Sequence, residues 1–120
     1  RGIYAGWTGD AFDSFIEHAT RDDASGERVL SCPKEIEAQI FERPVYPWDY
    51  FSSIRMPVLI LHGAQSYSFM APASQLAQKH NPRVQVHTLP GGHCFMQQDP
   101  QGAARAVNDF LKTTLKGSGA

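Results

Sequence analysis

The spacing of apolar and polar positions changes character near Arg55. Before that point it is helical. Phe12, Phe15, Ile16 and Ala19 recur at i, i+3, i+4 and i+7, which predicts a helix over 11–19 with one apolar face and Asp10 as its N-cap. Asp22 to Gly26 has the composition of a turn, and Arg28 to Ser31 reads as a short strand after it. Cys32-Pro33 opens a second helix, with Pro33 at the first helical position and Glu35 near the positive end. Ile36, Ile40 and Phe41 form its apolar side, and Pro44 ends it. Pro44, Tyr46, Pro47, Trp48, Tyr50 and Phe51 then cluster; such a group packs one element against another, or lines a pocket. Asp49 is placed to cap a short helical turn ending near Ile54.

After Arg55 the period shortens. Pro57-Val-Leu-Ile-Leu61 is continuously apolar and predicts a strand buried on both faces, ended by Gly63. A helix is expected from Pro72 to His80, with Leu76 and Ala77 inward and Asn81-Pro82 as its stop. Val84 to Thr88 alternates, as a strand with one partly open face does. Asp99 and Pro100 have the N-cap and first-position chemistry of a last helix, whose stripe is Ala103, Val107, Phe110, Leu111 and Leu115. Strand, helix, strand, helix in this order means parallel strands joined by a helical crossover, so the class is α/β. Three segments are expected: 1–55, helical and aromatic; 56–115, the βαβα part; and 116–120, a flexible tail.

Composition narrows the partners. The chain has 120 residues and a net charge of −1, without a lysine or arginine run, so neither nucleic acid nor an anionic membrane surface is an expected partner. Val58 to Leu61 is too short an apolar run to span a bilayer. The two cysteines, Cys32 and Cys94, read as reduced thiols of a cytoplasmic protein. The five histidines (18, 62, 80, 87 and 93) lack metal-ligand spacing, and no metal or cofactor is expected.

The chemistry concentrates in Leu89-Pro-Gly-Gly-His-Cys-Phe-Met-Gln-Gln-Asp-Pro100. Gly91 and Gly92 permit a tight turn that presents His93 between a strand and a helix. Taken alone, such a histidine is more readily a packed or surface residue than a functional one. Tyr67, Phe69, Phe95 and Met96 flank the same end of the strands; they would contact an apolar substrate group or pack the loop. Cys94 reads as a small packed residue, since the side chains of adjacent residues diverge.

Together with Met56-Pro-Val-Leu-Ile-Leu-His-Gly63, this stretch resembles the C-terminal end of an α/β-hydrolase. Residues 56–112 are similar to the last two strands and helices of esterases, lipases and dehalogenases of that fold. Residues 10–55 resemble the cap segment and its return to the sheet, with Leu30-Ser-Cys-Pro-Lys-Glu-Ile-Glu-Ala38 similar to a cap stretch of bacterial hydrolases. The resemblance implies two parallel strands with flanking helices, preceded by helical cap residues. It places His93 as the general base, which takes a proton from the nucleophile and returns one to the leaving group.

Two parts of that pattern are elsewhere or changed. No Gly-x-Ser-x-Gly elbow occurs here. Ser31 and Ser74 lack flanking glycines, Ser66 and Ser68 follow the wrong strand, and so does His62-Gly63, which resembles an oxyanion motif. The nucleophile is therefore expected upstream, on an N-terminal remainder that is this chain's natural partner. Many relatives carry aspartate three residues after the glycine that ends the first of the two strands; here Ser66 stands there. The acid then lies on an earlier strand, or the enzyme runs on a dyad; Asp49 and Asp99 are nominated for neither role. The leading expectation is esterase-like hydrolysis of a small ester-like substrate, with the chain inactive by itself. A dehalogenase or epoxide hydrolase with an aspartate nucleophile, a cofactor-free oxygenase and a non-catalytic binding module are the alternatives. Two strands alone leave open edges, so the isolated chain is expected to expose apolar surface or to pair with another chain.

Overall fold

The computed structural model describes the chain apart from residues 1, 3, 46, 47 and 118–120, and apart from the side chains of 115–117. Tyr46 and Pro47 of the aromatic cluster, the Leu115 side chain and most of the expected tail thus lie outside the described residues. Two compact units are present: residues 8–46, and residues 1–7 with 47–120.

The first unit consists of helix α1 (Gly9–Ala19), strands β1 (Thr20–Asp22) and β2 (Arg28–Leu30), and helix α2 (Lys34–Glu42). The cap of α1 is Thr8, whose Oγ1 accepts from the Ala11 amide at 3.2 Å, whereas the sequence pointed to Asp10. Asp10 lies instead in the first turn, where its charge meets the positive end of the helix. Strands β1 and β2 form an antiparallel hairpin with Thr20 opposite Leu30 and Asp22 opposite Arg28. The β1 strand was not expected: three polar residues carry no periodic signal. Arg28 holds it from across the ladder, through Nη1 to Asp22 Oδ1 (3.1 Å) and Nε to Thr20 Oγ1 (2.7 Å).

The hairpin turn is built on Asp23. Its Oδ1 accepts from the Ser25 hydroxyl (2.6 Å), the Ser25 amide (2.8 Å) and the Glu27 amide (3.0 Å). These donors, the Ser25 hydroxyl foremost, hold the carboxyl below its usual range. Gly26 completes the turn at φ +83°. In α2, Pro33 is the N-cap rather than the first helical residue, and Arg43 is the C-cap ahead of Pro44. The apolar positions Phe12, Ile16, Ile36, Ile40 and Phe41 are exposed.

The second unit contains α3 (Trp48–Ser53), β3 (Val58–Gly63), α4 (Met70–His80), β4 (Val84–Leu89), the single turn α5 (Phe95–Gln98) and α6 (Pro100–Gly117). Asp49 sits in the first turn of α3 rather than capping it. Strands β3 and β4 are parallel and in register from Val58 opposite Val84 to Gly63 opposite Leu89, as the strand–helix–strand order predicted. Helix α4 starts at Met70, two residues before Pro72, which places that proline in the first turn, where a missing N–H costs nothing. Helix α4 packs on both strands and α6 packs on β4 and α5. Ala77, Val84, Phe95 and Ala103 are buried. Phe95 alone accounts for about 2–3 kcal/mol of burial free energy, and it is a core residue rather than part of a substrate rim.

Strand β3 departs from expectation in its exposure. Val58 to Leu61 are half-buried, and only His62 and Gly63 at its end are buried. Its described hydrogen-bonded neighbour is β4 alone, so a strand with the composition of a sheet centre lies at an edge. Met56, Val107 and Leu111 are likewise exposed.

Asn81, read from sequence as a helix stop, ties the unit together. It is 2% exposed. Its Nδ2 donates to the carbonyls of Phe51 (2.8 Å) and Ile54 (2.9 Å), and its Oδ1 accepts from the Arg83 amide (2.9 Å). One side chain thus links the end of α3 to the turn between α4 and β4. Trp48 stacks on His80 with ring centroids 5.9 Å apart and lies 6.1 Å from Phe51, so the described part of the aromatic cluster packs α3 on α4. Asp99 caps α6 as expected: its Oδ1 accepts from the Gly102 amide at 2.8 Å, and Pro100 is the first helical residue. Lys116 and Gly117, assigned from sequence to the tail, continue α6.

Candidate functional site

In an open parallel sheet the carboxyl ends of the strands are where ligands bind. The ends of β3 and β4 are Gly63 and Leu89, and the loops that follow meet at close range. The Ala64 amide donates to the Leu89 carbonyl (2.8 Å) and the Gln65 amide to the Gly91 carbonyl (2.9 Å). Gln65 Oε1 accepts in return from the Gly91 amide (2.8 Å). The two loops are therefore zipped beyond the last strand pair.

Glycine is required on both sides of this contact. Gly91 has φ +114°, a conformation that side-chain-bearing residues rarely adopt. Gly63 lies so close to the turn that a Cβ there would stand 2.0 Å from the Gly92 oxygen and 2.5 Å from the Gly91 oxygen. From sequence Gly63 reads only as the end of a strand; its larger role is to admit the Gly91-Gly92 backbone.

The turn is braced from α5 as well. Gln98 Oε1 accepts from the Gly92 amide (2.8 Å), and Gln98 Nε2 donates to the Ala5 carbonyl (2.9 Å). Its backbone held on two sides, the turn presents an exposed His93. His93 Nδ1 lies 3.0 Å from Ser66 Oγ, and the Tyr67 ring lies 4.8 Å from the imidazole. Tyr67 in turn stacks on Phe69 at 5.6 Å. Ser66 is fixed by its own turn, its amide donating to the Gly63 carbonyl (3.1 Å).

A cavity of about 330 Å³ opens at this point, lined by Gly2, Ala5, Gln65, Ser66, Tyr67, Gly92, His93 and Gln98. A second of about 300 Å³ shares Ser66 and Tyr67 and reaches His62, Ser68 and Thr88. Among the described residues no carboxylate lines either one. Asp99 is engaged at the α6 cap, and no carboxylate stands beside His93 among the lining residues. His62 is buried with its Nε2 3.2 Å from Thr88 Oγ1, which makes it a satisfied core histidine at the end of β3. Cys94 is half-buried and unpaired, and Cys32 is exposed and unpaired. Among the described residues no three His, Cys, Asp or Glu side chains are grouped to hold a metal, and no helix is long and apolar enough to cross a membrane.

The structure thus brings together His93, Ser66 and Tyr67 from loops 27 residues apart. Gln65 and Gln98, which support the turn, gave no sequence signal, because amide side chains reveal their partners only once the strands are in register.

No protein-family model matches the sequence, and no curated protein matches it. Among solved structures the chain is similar to the crystal structure of E-2-(acetamidomethylene)succinate hydrolase, with a TM-score of 0.77 and 21% identity. The match covers 91% of this chain and 41% of that one, so the chain spans well under half the length of its structural relative. An identity this low speaks for fold alone: the chain has the fold of part of an α/β-hydrolase.

Proposed function

We propose that this chain contributes the histidine arm of an α/β-hydrolase active site and that His93 is its general base. The observation that supports this most is the presentation of His93: a glycine turn just past the carboxyl end of β4, braced by Gln65 and Gln98, at the mouth of a cavity of about 330 Å³.

In the proposed reaction a serine hydroxyl from the N-terminal remainder attacks the carbonyl carbon of an ester-like substrate. His93 takes the hydroxyl proton and delivers it to the departing alcohol as the carbon–oxygen bond breaks. Water then adds to the acyl-serine, giving its proton to His93, which returns it to the serine as the acid is released. The chain by itself is inactive in this reading, because it holds the base without the nucleophile. The exposed apolar positions and the open edge of β3 are where the remainder would pack. A small-molecule substrate and a cytoplasmic setting complete the reading.

The test is hydrolysis of short-chain p-nitrophenyl esters by the complete protein and by its His93→Ala variant. Loss of about 10²–10⁴-fold in kcat/KM is expected for removal of a general base. Full activity in the variant would reject the assignment. Turnover of halogenated alkanes or epoxides in place of esters would assign the nucleophile to an aspartate.

A further inference from the structure

Ser66 stands where many relatives carry the acid, and the structure shows what it touches: Ser66 Oγ is 3.0 Å from His93 Nδ1. Resting on the reading of His93 as general base, we propose that Ser66 is its positioning residue, accepting the Nδ1–H so that Nε2 is left unprotonated for proton transfer.

Several observations support this polarity. A neutral imidazole carries one proton, and its place is set by the hydrogen bond that the other nitrogen makes. A serine hydroxyl can accept through a lone pair while its own hydrogen turns toward another acceptor. Ser66 is half-buried and lines both cavities, so its hydrogen can turn into either space while the oxygen faces Nδ1. The oxygen is also held in place. The Ser66 amide is bonded to the Gly63 carbonyl, the preceding Gln65 is bonded twice to Gly91, and Tyr67 packs on the imidazole. The same loop therefore fixes the hydroxyl and the turn bearing the histidine, and the distance between them does not depend on a long side chain. Among the described residues no charged side chain lines the cavity of about 330 Å³, and Tyr67 is the one other titratable group there. A hydroxyl thus orients the ring without the ionic support that a carboxylate gives to imidazolium.

The experiment is the tautomer of His93, read from the nitrogen chemical shifts of the 15N-histidine-labelled complete protein. The spectra are recorded on the alkaline plateau, where the nitrogen shifts no longer change with pH. The expected result is a protonated Nδ1 and a pyridine-like Nε2 in the wild type. In Ser66→Ala the ratio inverts toward the Nε2–H form that the free histidine side chain favours, and Ser66→Thr keeps the wild-type form. A wild-type His93 protonated at Nε2 would mean that Ser66 donates to Nδ1 and would overturn the proposal. So would an unchanged ratio in Ser66→Ala. The wild-type measurement decides the polarity even if the alanine variant fails to fold. No turnover is involved, so the two readings fail separately: the wrong tautomer rejects the role of Ser66, and an active His93→Ala enzyme rejects the role of His93.

Discussion

Replacing Gly63 by alanine adds one methyl group at the point where β3 meets the histidine turn. Its carbon would stand 2.0 Å from the Gly92 oxygen, 2.5 Å from the Gly91 oxygen and 2.9 Å from the Gly92 carbonyl carbon. All three are backbone atoms, so no rotamer change relieves them. Restoring ordinary contact requires the turn to retreat by about 1 Å or more, and overpacking of this kind costs about 1–3 kcal/mol. The retreat also stretches the bonds that zip the loops: Ala64 to Leu89, Gln65 to Gly91, and Gly91 to the Gln65 side chain. Each contributes about 0.5–1.5 kcal/mol. Weakening these three bonds by about half adds about 1–2 kcal/mol, for a total loss of about 2–5 kcal/mol, with disruption of the 3.0 Å contact between Ser66 and His93. Urea unfolding measures the first and the His93 ring resonances measure the second. Gly9→Ala is the control, since a Cβ there meets nothing within 4 Å. A Gly63→Ala protein within 0.5 kcal/mol of wild type (the ordinary range for surface substitutions), with unchanged His93 resonances, would refute the reasoning.

Asn81→Ala removes two donors and one acceptor from a buried position; the orphaned Phe51 and Ile54 carbonyls and the Arg83 amide set a loss of about 2–4 kcal/mol, measurable by the same unfolding assay. Asp23 gives a pH dependence of known sign. Its folded pKa lies below the unfolded value, so its contribution is present above the ordinary carboxylate pKa of about 3.9 and is lost as pH falls through the folded value. Amide exchange at Ser25 and Glu27 is expected to rise on acidification below pH about 4, and Asp23→Asn is expected to flatten that dependence; exchange that stays pH-independent after correction for intrinsic rates would contradict it.

The sequence revealed those parts of the fold that rest on periodicity or on punctuation. The apolar run at Val58, the alternation from Val84 and the Asp99-Pro100 start of α6 each have a local cause, and each is found where the pattern placed it. Strand β1 was missed because Thr20-Arg-Asp22 is polar; it pairs through the backbone ladder with β2, and Arg28 reaches back to its side chains. Helix α5 is a single turn, too short to show a period. Position 63 shows the limit most clearly. A glycine after an apolar run is an ordinary strand end, and its contact with Gly91 and Gly92 exists only once Gly63 stands opposite Leu89 in the β3–β4 register. The meeting of Ser66 and His93 depends on the same register. Sequence pattern located both residues at strand ends, and only the three-dimensional pairing showed that their side chains touch.

The most direct test is a crystal structure of the complete protein after reaction with a fluorophosphonate ester, which labels an activated serine. The expected result is an adduct on a serine outside this chain, with its Oγ within about 3.2 Å of His93 Nε2. An adduct on a serine remote from His93, or a His93 facing solvent with no nucleophile near it, would contradict it.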